Sequence, residues 1–244
     1  MNSILKKTPF LKNFARLVRI FFGITPETLT LNYHLKRKDY LIKNYLKGNN
    51  ASKKLQIGCQ IHNLREWLNV DILPKNDEIV YMDATKKFPL PDNTFSHIFS
   101  EHMIEHIRFE DGIFMVKECY RVMKKGARIR LVTPNLKFLI NLYTETKSDL
   151  QNDYIKFNKR YFSNDQLPLT DTLIINNFFR DWGHQFIYDA KTLEFILTLA
   201  GFKNISFLKV NESSDIELSN LEKHGLEITD RFNELESIVV EAEK

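Results

Sequence analysis

Two carboxylates, three histidines and one glycine stand where this chain could hold a small molecule and act on it. Gly58 lies near the end of an apolar run, Lys54 to Cys59; Asp71 closes a second, Trp67 to Ile72; and Asp83 follows a third, Ile79 to Met82. A glycine lets the backbone pass close to a ligand, and a carboxylate beyond the next strand can grip a ribose diol. Gln60 and Asn63 replace the second and third glycines of a G-x-G-x-x-G loop, so that fingerprint is partial. His102, His106 and His184 are the candidates for acid–base work, because an imidazole titrates near neutral pH. His102 is favoured since it directly follows a short apolar run; the competing reading for each is a structural histidine bonded to the backbone. His102-Met-Ile-Glu105-His106 also has the H-x-x-E-H spacing of a zinc site. Three fixed residues in five arise readily by chance, and a position after a strand explains them better, so no metal is expected.

Groups so far apart in the chain meet only if the strands that carry them end on one edge of one sheet. Lys54 to Cys59, Trp67 to Ile72, Ile79 to Met82, His97 to Ser100 and Arg128 to Thr133 read as strands, with Ile205 to Val210 and Ser237 to Ala242 as two more. Gln60 to Glu66 is shorter than the crossover helix of about 10 residues that a parallel pair normally takes, so the first helix is shortened or replaced. Helical spacing marks Gly112 to Met123, with Lys124-Lys-Gly126 as the expected cap. A further helix over Asp189 to Leu199 has Asp189 as N-cap and stops at Gly201. Residues 144–180 are polar and aromatic without clear period, and they fall where a lid over the sheet end would be inserted. Within them, Tyr154 to Phe162 with Lys156, Lys159 and Arg160 could stack on bases or form a solvated lid face. This alternation predicts an α/β fold, a doubly wound and mostly parallel seven-stranded sheet with helices on both faces.

With 244 residues, 43% hydrophobic and 27% charged, the chain fits one large globular domain, or a domain of about 190 residues with an extension. Two cysteines, Cys59 and Cys119, are too few for a disulfide framework and suit a reducing cytoplasm. The net charge of +4 is uneven: residues 1–56 hold 12 Lys and Arg against 2 acids, and the remainder 23 against 29. Such a basic head either meets an anionic surface or partner or is a solvated helical arm. Arg16 and Arg19 interrupt the apolar stripe of residues 1–22, which excludes a signal-peptide core and a bilayer span. Two readings of that stripe stay open, peripheral contact with a membrane and packing on the body or a second subunit. No motif points to a specific nucleic acid.

Taken in order, Leu55-Gln-Ile-Gly-Cys59, Trp67-Leu-Asn-Val-Asp71, Phe88-Pro-Leu-Pro-Asp-Asn-Thr-Phe95, Ser100-Glu-His-Met-Ile-Glu-His106 and Tyr120-Arg-Val-Met-Lys-Lys-Gly-Ala-Arg-Ile-Arg-Leu-Val-Thr-Pro134 resemble class I S-adenosylmethionine-dependent methyltransferases. The similarity is greatest to a type 11-like subgroup linked with sugar and polysaccharide biosynthesis. Gly183 to Asp189, Leu199 to Phe202 and Glu236 to Ala242 extend the likeness to about residues 54–244.

The resemblance implies a Rossmann-like fold over residues 51–244 whose last strand, Ser237 to Ala242, runs antiparallel, preceded by a helical extension over residues 1–50. It implies S-adenosylmethionine as cofactor, with Gly58, Cys59 and Gln60 along its methionine portion. Asp71, with Ile72 beside it, would take the ribose hydroxyls, Asp83 and Ala84 would flank the adenine, and Ser100, Glu101 and His102 would lie near the reacting methyl. The implied acceptor is a small molecule or glycan precursor. Arg180, Trp182 and Tyr188 are candidates to touch it, from their position just before a helix near the sheet end.

Gln60, Glu66 and Ser96 stand where that family commonly has Gly, Gly and Asp. If position 60 takes a positive φ, glutamine there costs about 1 kcal/mol and crowds the methionine carboxylate. The alternative is therefore a non-catalytic Rossmann-like module, an accessory in glycan assembly. A dinucleotide oxidoreductase would need phosphate-cradling glycines and a helix N-terminus after Gly58, and the sequence has neither.

Overall fold

The computed structural model describes the backbone of residues 26–159 and 170–244, with side chains from residue 30 onward. The stripe of residues 1–22 and the Arg160 to Phe162 end of the aromatic–basic segment lie outside the described residues.

Helix α1 (Pro26–Lys47) leads into β1 (Lys54–Ile57), β2 (Leu68–Asp71), β3 (Val80–Tyr81) and β4 (Phe95–Glu101). A single 3-10 turn (Ile104–His106) then precedes α2 (Phe109–Val122) and β5 (Met123–Pro134). Among the described residues α3 (Leu136–Leu142), α4 (Asp149–Asn158) and α5 (Asp171–Arg180) follow, then α6 (Ala190–Ala200) and β6 (Lys203–Leu208). The chain closes with α7 (Gly225–Ile228), α8 (Asp230–Glu236) and β7 (Ser237–Glu243).

The seven strands form one sheet in the order β3-β2-β1-β4-β5-β7-β6. All pairings are parallel except those of β7, which runs antiparallel to both β5 and β6. The chain winds outward from β1 to β3 and then returns to the other side of β1, so order reverses between β1 and β4. Ligands bind at such a reversal, beyond the carboxyl ends of the two strands.

No helix joins β1 to β2, as the short spacing required; His62 N–H donates to Cys59 O at 2.8 Å in a turn instead. One face of the sheet packs Leu55, Ile57, Ile98 and Ile129 against Met115, Val116 and Cys119 of α2 and Leu193, Ile196 and Leu197 of α6. On the other face, Trp67, Phe99, Val132 and Val239 are covered by Leu218 and Leu221 from the segment between β6 and β7, where helices were expected. That segment is pinned by Arg130, wholly buried, whose Nε donates to Glu222 Oε1 at 2.6 Å and Nη1 to Glu241 Oε1 at 2.7 Å.

Capping follows the sequence in α6, where Asp189 accepts Thr192 N–H at 2.9 Å and Gly201 takes a φ of +105°. Lys124-Lys-Gly126 is a correction: α2 ends at Val122, and these residues belong to β5, where Gly126 N–H donates to Lys244 O at 2.8 Å. Lys244, just past β7, takes the Gly126 N–H and returns its own N–H to Ala127 O at 2.9 Å. The described part of residues 144–180, aperiodic as a sequence, holds the capped helices α4 and α5. Tyr154 of α4 and Ile174 and Phe178 of α5 join Phe138, Leu142 and Phe232 in a second apolar cluster. Helix α1 is part of the body, with Ile42 in the main core and Tyr45 hydroxyl donating to Lys54 O at 2.8 Å.

Candidate active site

The tip of β1 is a turn that only a small residue fits. Gly58 has a φ of +75°, and a Cβ there would sit 2.4 Å from Met103 Cγ. Gln60 follows with a φ of +48°, the strained left-handed region. Its N–H donates to Asp71 Oδ2 at 2.8 Å, while Asp71 Oδ1 accepts Leu73 N–H at 2.7 Å. Asp83, just past β3, accepts both Thr85 N–H and its hydroxyl, at 2.9 and 2.7 Å. The two acids thus stand on adjoining strand ends with backbone bonds orienting each carboxylate.

Beyond the turn opens a cavity of about 370 Å³, within the range of small-molecule sites. Gly58, Cys59 and Gln60 form one wall, and Glu101, His102, Glu105, His106 and His184 another. The helices over the strand ends contribute Tyr154, Asn158 and Phe178, and the turn after α5 contributes Trp182. The cavity is rich in titratable groups: His62, His224, Glu227 and Glu236 complete a set of five histidines and four glutamates among its lining residues.

Several neighbours fix these groups. Glu101 accepts N–H bonds from Lys223, at 2.8 and 3.0 Å to its two oxygens, and from His224 at 3.0 Å, so its carboxylate anchors the start of α7. Glu236 accepts from Tyr154 hydroxyl and meets His224 Nε2 at 2.9 Å. His102, with a φ of +45°, lies 3.2 Å from Glu105 Oε1 through Nδ1 and 3.1 Å from Ser237 Oγ through Nε2. Burial opposes charge on His102, but the Glu105 carboxylate beside it outweighs that and raises its pKa. Burial pushes the His184 pKa down instead, so this ring stays neutral. Cys59 is kept a thiol, its pKa pushed up to about 12 by burial and then by Asp71.

Of the residues singled out in the sequence, Gly58, Cys59, Gln60, Glu101, His102, His106, His184 and Trp182 line the cavity. Asp71 and Asp83 lie outside its wall on the neighbouring strand ends, with Ile72 half-exposed and Ala84 buried beside them. Ser100 faces into the sheet, its hydroxyl donating to Ile57 O at 3.0 Å. Two expected acceptor contacts do not line this cavity. Arg180 is exposed at the end of α5 and does not line the cavity, and Tyr188 is a core residue packed on Phe109 and Phe186. Tyr188 follows Phe186 on an alternating stretch, and the side that enters the core is set by its bridge to Asn135. Tyr154 and Asn158 come from the segment read as a lid, whereas the sequence reading did not bring His224 and Glu236 to the site. No spacing signal ties them to the site, because only the packing of the cap on the sheet brings them there.

Residues 55–131, from β1 through most of β5, match a family model described as a methyltransferase domain. With this strand order, the chain has a Rossmann-like fold, mostly parallel with an antiparallel last strand. No curated protein matches the chain at a significant level. Among solved structures it is similar to a SAM dependent methyltransferase from Archaeoglobus fulgidus, with 20% identity, 95% of this chain and 100% of that chain covered, and a TM-score of 0.46. It is also similar to an S-adenosylmethionine dependent methyltransferase from Mesorhizobium loti, with 13% identity, coverage of 85% and 97%, and a TM-score of 0.48. A third is Haemonchus contortus phosphoethanolamine N-methyltransferase 2 in complex with S-adenosyl-L-methionine, with 14% identity, coverage of 87% and 52%, and a TM-score of 0.43; the chain spans about half of that protein.

Proposed function

We propose, from the methyltransferase-domain match over residues 55–131, that this chain transfers a methyl group from S-adenosylmethionine to a small-molecule acceptor. The observation that carries the reading is the continuity of the Gly58-Cys59-Gln60 turn with the histidine-lined cavity at the switch between β1 and β4. In this reading the methionine end of the cofactor lies along that turn, its ribose meets Asp71, and its adenine lies toward Asp83 and Ala84. The sulfonium then points past Glu101 and His102 into the cavity. A sulfonium is already a good leaving group, so the protein's main task is to hold the nucleophile in line with the methyl.

The acceptor occupies the space between the histidines and the cap. Trp182 and Tyr154 offer aromatic faces there and Asn158 a polar group, a lining that suits a hydroxylated ring such as a sugar in a glycan precursor. That acceptor class rests on the resemblance and on this lining together.

Titration of the purified full chain with S-adenosylmethionine by calorimetry tests the reading. Saturable heat that disappears in Asp71→Ala supports it, and no heat at millimolar cofactor overturns it. The second outcome would favour the accessory module, for which the observation is Gln60 itself: its left-handed φ places a long amide side chain on the turn that would face the methionine carboxylate.

A further inference from the structure

We infer that Glu105, His106 and His184 form a binding site for a first-row divalent transition ion, such as Zn²⁺, in the wall of this cavity. One ligand atom from each residue lies within 4.8 Å of the other two. At metal–ligand distances of about 2.1 Å, the edge of a tetrahedral site is about 3.4 Å, so small side-chain rotations close the triad. One carboxylate with two imidazoles favours such ions over Mg²⁺ or Ca²⁺, which prefer oxygen.

The surroundings prepare each ligand. Glu105 is wholly buried, and its Oε2 accepts Thr133 hydroxyl at 3.0 Å. Its Oε1 has no hydrogen-bond partner; His102 Nδ1 approaches to 3.2 Å in a geometry that makes no such bond. A metal ion there would complete the surroundings of a buried carboxylate oxygen that His102 approaches without a hydrogen bond. His184 Nδ1 lies 2.7 Å from Phe178 O, which can only accept, so the proton sits on Nδ1 and the Nε2 lone pair is free for a metal. His106 packs edge-on to His184 with ring centroids 4.8 Å apart. The two ligand-bearing segments are also tied through their backbones. Gln185 N–H and Phe186 N–H donate to Glu105 O at 2.7 and 3.2 Å, and Gln185 Nε2 donates to His106 O at 2.7 Å.

A second group, His102, His224 and Glu236, has similar spacing. Its donors are already committed: His224 to Glu236, Glu236 to Tyr154, and His102 to Ser237. The H-x-x-E-H spacing thus supplies Glu105 and His106, while the third ligand comes from a distant segment in place of the first histidine.

The role assigned to the ion rests on the methyltransferase reading. Held by Glu105, His106 and His184, such an ion would act as a Lewis acid toward an acceptor hydroxyl, which would give its proton to water so that its oxygen could take the methyl as the S–CH3 bond breaks, leaving a methyl ether and S-adenosylhomocysteine.

The test uses the full chain stripped with a chelator and titrated with Co²⁺, read by visible absorption, and with Zn²⁺, read by competition with a chromophoric chelator. The expected result is one equivalent per chain, weakened at least tenfold in both His106→Ala and His184→Ala, and kept in His224→Ala. Circular dichroism checks the fold of each variant, and His106→Asn and His184→Asn serve if either alanine variant unfolds. No binding of either ion overturns the site, as does affinity unchanged in the His106 and His184 variants or lost only in His224→Ala. S-adenosylmethionine calorimetry on the stripped protein separates the two proposals: cofactor heat without metal binding removes the ion alone, and metal binding without cofactor heat removes the methyltransferase reading alone.

Discussion

Asp71 Oδ2 accepts the N–H of Gln60 at 2.8 Å across the tips of β1 and β2, so one carboxylate holds the strained turn and faces the place proposed for the ribose. A hydrogen bond to a charged group contributes about 1.5–3 kcal/mol, roughly ten- to a hundredfold in affinity. Asp71→Ala is expected to lose S-adenosylmethionine affinity by at least that factor and to lower the thermal midpoint. Asp71→Asn, which keeps one acceptor oxygen, should hold the fold better than it holds cofactor. Calorimetry and thermal melts of both variants check this.

Gln60→Gly removes the cost of a left-handed glutamine, about 1 kcal/mol, but adds a similar loss of unfolded-chain entropy. The expected outcome is a nearly unchanged thermal midpoint with tighter cofactor binding, because the amide side chain no longer occupies the turn. Weaker binding in the glycine variant would show that the Gln60 side chain is a contact and not an obstruction.

Glu118 accepts Arg121 Nε and Nη2 at 2.8 and 2.7 Å and Phe88 N–H at 2.7 Å. The Arg121 bonds, opposed by burial and helped by the Phe88 amide, hold its carboxyl below the usual range. A carboxyl with a depressed folded pKa stabilises the fold above the unfolded pKa of about 4.3, and this is lost as pH falls through the folded value. Urea unfolding should show Glu118→Gln most destabilised at neutral pH, with the gap to the parent narrowing toward about pH 3.

Arg130 is buried with Glu222 and Glu241, and removing one member of such a group strands the others. Arg130→Met should cost about 3–5 kcal/mol, read as a lower urea midpoint. It should also release the segment over Leu218 and Leu221, read as faster hydrogen exchange there.

The sequence alone determined the strands and their chemistry-bearing ends. Short apolar runs broken by glycine, aspartate and proline are local signals, and they placed Gly58, Asp71, Asp83 and His102 at strand ends before any contact was known. The ordered motifs carried the direction of the last strand as well. Where local signals failed, tertiary pairing had overridden them. Lys124-Lys-Gly126 has the composition of a helix cap and became the start of β5, with Gly126 bonded to Lys244 just beyond β7. Tyr188 has the type of an acceptor contact and became core because its register points it at Gly112.

Which histidines and glutamates meet was decided only by the fold. His106 and His184 are far apart in the chain, and no periodicity relates them. They come together because the segment after α5 hydrogen-bonds to Glu105, and a chance-like five-residue motif thereby gains a partner from outside itself. A sequence lists side chains in one dimension with local geometry attached, whereas a site is a set of distances, and those are fixed by packing between elements.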